Sequence, residues 1–174
     1  MKNNIEMIIY VSDLALYNRG ANEWIELDLM TTMKAKSKYD AIKKENEGHE
    51  FFISDTSMLY DLGINEFDNI DFILDMAEKY FSKWSEEQIM VFSDLIAEAD
   101  FSWEYGAKKV NDYAYMIIKT GAYKSDEEAV GHYYAEYLNM QNYIKPFFDY
   151  EKYGRNILEE NDNVTTDDYV IIVY

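Results

Sequence analysis

The apolar positions of this chain change rhythm along its length. Ile5 to Val11 is a run of β-branched and apolar residues, which predicts a strand. Asn18 to Gly20 reads as a turn. From Glu23 to Leu29, Trp24 and Glu26 alternate with Ile25 and Leu27, which predicts a second strand. Lys34 to Glu47 predicts a helix stopped by Gly48, and Glu50 to Ser54 a third strand that ends at Asp55.

The period then becomes helical. Phe67, Ile70, Leu74, Ala77, Phe81 and Trp84 recur at spacings of three and four, which predicts one apolar helix face. Asp68, Asp71, Asp75 and Glu78 follow the same rhythm one residue later. One residue is about 100° around a helix, so an acidic stripe is expected beside the apolar one. A second helix repeats the plan. Ser85 to Gln88 predicts a capping box, with Ile89, Phe92, Ile96 and Ala99 facing inward and Glu87, Asp94 and Glu98 outward.

Further on, Val110 to Lys119 predicts a helix with Gly121 as its stop. Ser125 to Glu128 is a second capping box, opening a helix to about Asn139. Pro146 predicts the start of a helix reaching about Leu158. Glu159 to Asp168 reads as an acidic turn, and Asp168 to Tyr174 as a closing strand. The expected fold class is α+β, an elongated chain of three small domains: 1–60 with strands and a helix, 61–104 helical and acidic, 105–174 again α+β.

Charge sharpens this division. The 174 residues carry a net charge of −18. Residues 61–104 hold twelve Asp or Glu against two Lys, a local balance of −10. Residues 105–144 hold five acids against four bases but eight of the 17 tyrosines. The one basic patch is Lys34, Lys36, Lys38, Lys43 and Lys44. Like charges at i,i+3 and i,i+4 cost a helix roughly 0.2–0.5 kcal/mol per pair, so nearly unmixed acidic stripes point beyond solubility. One reading is a solvated face; the other is a partner with a strongly basic groove, and the commonest such groove is built for nucleic acid. The negative charge itself disfavours binding nucleic acid or an anionic membrane surface. The tyrosines fit either the local core or a wet interface.

Chemistry is harder to find. With no Cys there is no disulfide framework and no thiolate site. His49 and His132 lack a second His or Cys at zinc-ligand spacing, and Glu128 and His132 miss the Glu-x-x-His spacing of di-iron bundles. No glycine-rich phosphate loop, nucleophile elbow or calcium loop occurs. No metal, cofactor or catalytic residue is expected, and nothing specifies an enzyme. Met1 to Glu6 lacks a signal-peptide pattern and no apolar run approaches a membrane span, which points to the cytoplasm.

Several segments together resemble the ArdA antirestriction family. They are Ile8-Ile9-Tyr10-Val11, Leu16-Tyr17-Asn18-Arg19-Gly20, Trp24-Ile25 and Glu50-Phe51-Phe52-Ile53-Ser54-Asp55. Near the end come Glu128-Ala129-Val130-Gly131 with Tyr133 and Glu136, then Phe147-Phe148-Asp149-Tyr150-Glu151-Lys152-Tyr153-Gly154-Arg155. The chain departs from the family pattern after Asp55, where Thr56, Ser57 and Met58 follow, and in its basic patch. The resemblance implies a mobile-element protein of three domains. It would dimerise through the C-terminal domain, imitate bent B-DNA and occupy the DNA groove of type I restriction–modification enzymes. Asp68, Asp71, Asp75, Glu78, Glu86, Glu87, Asp94 and Glu98 would then stand for phosphates, with Asp149, Glu151, Glu159 and Glu160 further along. Tyr113, Tyr115, Tyr133 and Tyr137 fall in the neutral region expected to hold the homodimer contact. The alternatives are an inhibitor of another DNA-binding defence system, such as a CRISPR effector, and an acidic regulator that binds a partner through its tyrosines.

Overall fold

Three short strands with one apolar face each begin the structure, a computed structural model that describes residues 5–174. They are β1 (Met7–Asp13), β2 (Ile25–Asp28) and β3 (Phe51–Met58), antiparallel in the order β2-β1-β3. Met7, Ile9, Val11 and Leu27 are fully buried, while the residues between them turn to the other face, as a two-residue period requires. The register slips between Tyr10 and Val11: Tyr10 faces Asp55 and Val11 faces Ile53, so Ser54 is the extra residue of a bulge. Its hydroxyl donates to the Tyr10 carbonyl (3.2 Å) and accepts from Ser12 (3.0 Å). A one-turn helix α1 (Leu14–Tyr17) follows β1, capped by Asp13. Helix α2 (Thr32–Glu45) brings Tyr39 edge-on to Phe51 at 5.9 Å. After it Gly48 takes φ +86°, a left-handed value that glycine reaches without strain.

Helix α3 (Ile70–Lys79), a 3-10 turn (Phe81–Lys83) and α4 (Glu86–Ala97) come next. Phe81, Trp84 and Phe92 form an aromatic cluster with ring centroids 5.4–5.6 Å apart. The expected apolar face is thus shared by a helix and a turn. Trp84 lies beyond the helix. Phe67 is 76% exposed and precedes it, because the Asn69 side chain caps the helix by accepting from Phe72 N at 3.0 Å. The Ser85–Gln88 capping box forms as predicted, each residue bonding the other's backbone.

The chain divides into two compact units, one ending at Ser93 and one beginning at Asp94. The second contains α5 (Trp103–Asn111), β4 (Tyr115–Lys119), α6 (Asp126–Tyr137), a 3-10 turn (Lys145–Phe147), α7 (Tyr150–Glu160), β5 (Asp162–Thr165) and β6 (Tyr169–Val173). Its strands are antiparallel in the order β4-β6-β5. The molecule is α+β, with two three-stranded sheets among the described residues.

Three expectations fail here. Val110 to Lys119 is not one helix: α5 ends at Asn111, Tyr113 takes φ +53°, and Met116, Ile117 and Ile118 pair with Ile172, Ile171 and Val170 of β6. A short apolar run bounded by polar residues has no period that separates strand from helix. Pro146 sits in the 3-10 turn, and α7 opens only at Tyr150, capped by Asp149. The acidic turn from Glu159 contains β5, whose Val164 is buried against β6.

Ile118, Ala129, Val130, Val170 and Ile172 form the core of the second unit, with Ile157 and Leu158 of α7 packed against it. Each fully buried Val or Ile contributes about 1.5–3 kcal/mol. The α6 and α7 backbones approach unusually closely. A Cβ on Gly131 would lie 1.9 Å from the Tyr150 carbonyl oxygen, and one on Gly154 1.8 Å from that of Glu127. Both glycines belong to the segments that carry the family resemblance, and their lack of a side chain is what the helix pair requires.

Candidate functional site

Burial of Ile70, Ile73, Leu74, Met76 and Ala77 fixes how α3 rolls, and so leaves Asp71, Asp75 and Glu78 outside. They do not stand alone. Lys36 and Lys43, seven residues apart on α2, lie two turns apart on one side of that helix. The Lys36 Nζ is 2.6 Å from Asp75 Oδ1 and also bonds Glu78. The Lys43 Nζ is 2.7 Å from Asp71 and 3.2 Å from Asp40. Hydrogen bonds donated to Asp75, then to Glu78, hold the Lys36 ammonium above the ordinary lysine range. At Lys43 partial burial works to lower the pKa, but the bonds to Asp71 and Asp40 carry it upward.

The basic patch therefore has an intramolecular partner. Four carboxylates share two ammonium groups, so half the local negative charge is balanced. The carboxylates remain accessible, with the Asp75 side chain 71% exposed, and such surface pairs are worth about 0–1 kcal/mol.

The other predicted acids occupy different settings. Asp68 lies in the turn before the α3 cap, where its carboxylate accepts from Asn65 N at 2.7 Å. Glu86 and Glu87 stand in the first turn of α4, where negative charge suits the helix dipole; Glu86 accepts from the Tyr60 hydroxyl at 3.2 Å. Asp94 is half-buried and accepts from the Tyr169 hydroxyl at 2.7 Å. Burial pushes its carboxyl above the usual range, against the pull of the Tyr169 bond. Glu98 is exposed. In the second unit Asp149 caps α7, and Glu151 pairs with Arg155 at 2.8 Å. Glu159 and Glu160 are exposed in the last turn of α7, which carries no basic residue. Negative charge is unfavourable there.

The tyrosines expected at a contact lie mostly outward. Tyr113 is 70% exposed, Tyr133 and Tyr137 are exposed as well, and Tyr115 is half-buried on β4, with its ring stacked 6.4 Å from that of Tyr113. Around Tyr137 the chain exposes Leu138, Tyr143, Ile144 and Phe147, the last at 89%. Sequence reasoning missed these four, although Leu138, Tyr143 and Ile144 lie in the low-charge stretch that it singled out.

The histidines have structural settings. His49 Nδ1 is 2.5 Å from Asp13 Oδ2, and the His132 ring stacks on Tyr150 with centroids 3.7 Å apart. Among the described residues no group of three or more His, Cys, Asp or Glu is placed to hold a metal ion. No described helix is long and apolar enough to cross a membrane.

Comparison with known proteins gives one result that spans nearly the whole chain. The family model described as antirestriction protein (ArdA) matches residues 9–171. No curated protein matches the chain.

Proposed function

The chain belongs to the ArdA family of antirestriction proteins, and from that premise we propose that it inhibits a type I restriction–modification enzyme by imitating duplex DNA in the enzyme's DNA groove. The family is one of inhibitors, and its members interact with restriction enzymes. The observation that carries the finer reading is where the carboxylates stand. Most predicted phosphate mimics are exposed, in both units, and several sit where they contribute little to the fold or oppose it. Glu159 and Glu160 oppose the helix dipole, and Asp71, Asp75 and Glu78 crowd one face of α3. Duplex DNA carries one charge per about 1.7 Å of axis, so a net charge of −18 would match roughly 30 Å of duplex.

In this reading the parts 1–60, 61–104 and 105–174 make up a cytoplasmic protein, the product of a mobile element. Two copies join through the second unit. Chains of charge −18 repel, so the contact belongs where charge is low and apolar area is exposed, at Tyr137, Leu138, Tyr143, Ile144 and Phe147. Inhibition is occupancy and not chemistry, so the protein is not an enzyme and needs no cofactor.

The test is displacement of duplex DNA from a purified type I restriction–modification enzyme. The wild type should compete, more weakly as salt rises. Glu87→Gln, Glu98→Gln, Glu159→Gln and Glu160→Gln together should keep the fold, weaken competition and flatten its salt dependence. Competition unchanged in that variant would mean that the acidic faces only solvate the protein. Displacement from an RNA-guided nuclease but not from the type I enzyme would move the target to that class.

A further inference from the structure

The outer face of the first sheet carries a second acidic feature, built differently from the helix stripes. Tyr10 on β1 lies directly opposite Glu26 on β2 and directly opposite Asp55 on β3. Directly opposed residues have Cβ atoms about 4.5–5.5 Å apart, so one phenol ring sits between two carboxylates across three strands. Trp24 (51% exposed) and Tyr17, whose ring meets Phe52 edge-on at 5.2 Å, add walls. Glu66 joins at the rim, where its carbonyl accepts from Ile53 N at 2.9 Å. Together they line an open cleft of about 910 Å³.

Its electrostatics are unlike those of α3. No ion pair engages Glu26, Asp55 or Glu66 among the described residues, and no Lys or Arg is among the residues lining the cleft. Lys38 reaches the main-chain carbonyl of Glu26 at 3.0 Å, not its carboxylate. Aromatic faces beside uncompensated carboxylates repel phosphate and suit a cation. A guanidinium fits best, since it stacks flat on a ring and pairs with a carboxylate through two N–H groups.

We propose that this cleft binds an arginine-bearing segment of a protein partner, the guanidinium stacked on the exposed Trp24 ring and paired with Glu26 or Asp55. The cleft is open and larger than one guanidinium, which suits an extended segment. The proposal does not rest on DNA mimicry: the rings read the shape of the cation, whereas a phosphate mimic reads charge density.

Two peptides of equal charge separate shape from charge, one with two arginines in a Gly/Ser background and its lysine twin. Each is titrated into the full-length protein at about 0.3 M salt, where the Debye length is under 8 Å, and followed by the NMR signals of the Trp24 indole and the backbone amides. The arginine peptide should bind about three- to fivefold tighter than the lysine peptide and shift Trp24 together with β1 and β3. Trp24→Ala, an exposed change, should abolish that preference, weakening the arginine peptide more than the lysine peptide. Glu26→Gln with Asp55→Asn should weaken both peptides. Equal affinity for the two peptides would overturn the proposal, as would a preference that survives Trp24→Ala or shifts confined to α2 and α3. Spermidine binding more tightly than the arginine peptide would make this a small-cation site and would equally overturn it.

Discussion

Helices α2 and α3 meet through long charged side chains at the surface, whereas α6 and α7 meet backbone to backbone at two glycines. The first contact leaves its charges in water, where each pair contributes little to stability but still sets local potential. The second excludes everything larger than hydrogen and contributes nothing to potential. Charge in the first unit can therefore change at small cost to the fold, while the glycine contact in the second cannot.

The strongest way to break this contrast is at the glycines. Gly154→Ala puts a methyl group where the Glu127 carbonyl stands, and that atom is backbone with no rotamer to yield. Overpacking of this kind costs about 3 kcal/mol. Urea unfolding should move to lower midpoints, and amide exchange should quicken in α6 and α7 while β1 and β3 keep their protection. Gly131→Ala should act in the same direction, against Tyr150. A neutral Gly154→Ala would mean that the helices separate easily.

A smaller effect on stability, with a larger one on function, is expected from Lys36→Met with Lys43→Met. Methionine keeps the apolar stem that these half-buried lysines lay on the surface. Stability should fall by about 1 kcal/mol or less per lysine. Because both lysines have raised pKa values, their pairs are intact below the ordinary lysine value of 10.5 and are lost as pH rises through the higher folded value. The wild type should therefore lose a little stability above that pH, and the double variant should lose less. If the α3 face is the mimic, freeing Asp71, Asp75 and Glu78 should strengthen competition with duplex DNA. Weaker competition would mean that the lysines, not the acids, touch the target.

This contrast also marks what the sequence made legible. Signals within a few residues survived: the box at Ser85, the Ser125 cap (although Glu128 reaches back to Lys124 N instead of Ser125 N), the stop at Gly48, and the alternation around Leu27. Each is a local hydrogen-bond or period argument. Helix α5 was missed although Ser102 caps it by accepting from Tyr105 N at 3.3 Å, because the apolar run after Asn111 drew the helix past its end. The partner of the basic patch was out of reach. Lys36 and Asp75 are 39 positions apart, and only the fold brings them together. Counting charges along the chain therefore overstated how bare the α3 stripe is, while the acids of α7, with no lysine in their turn, were as open as the count implied.

Those α7 acids yield the smallest expected change in stability and a clear sign. Glu159 and Glu160 sit in the last turn, where unsatisfied carbonyls already concentrate negative potential, and no Lys, Arg or His offsets them. Glu159→Gln with Glu160→Gln removes that repulsion without changing size, so the helix should gain a few tenths of a kcal/mol per residue. The gain should fade at high salt, because screening already weakens the repulsion in the wild type. Residues kept against a stabilising alternative are most simply explained by what they bind, so the same variant should lose competition with duplex DNA while its unfolding midpoint rises. If both midpoint and competition rise, the charges at this helix end oppose the fold and the target alike. The mimic surface would then have to be carried by the first unit, whose acids Lys36 and Lys43 already hold in part.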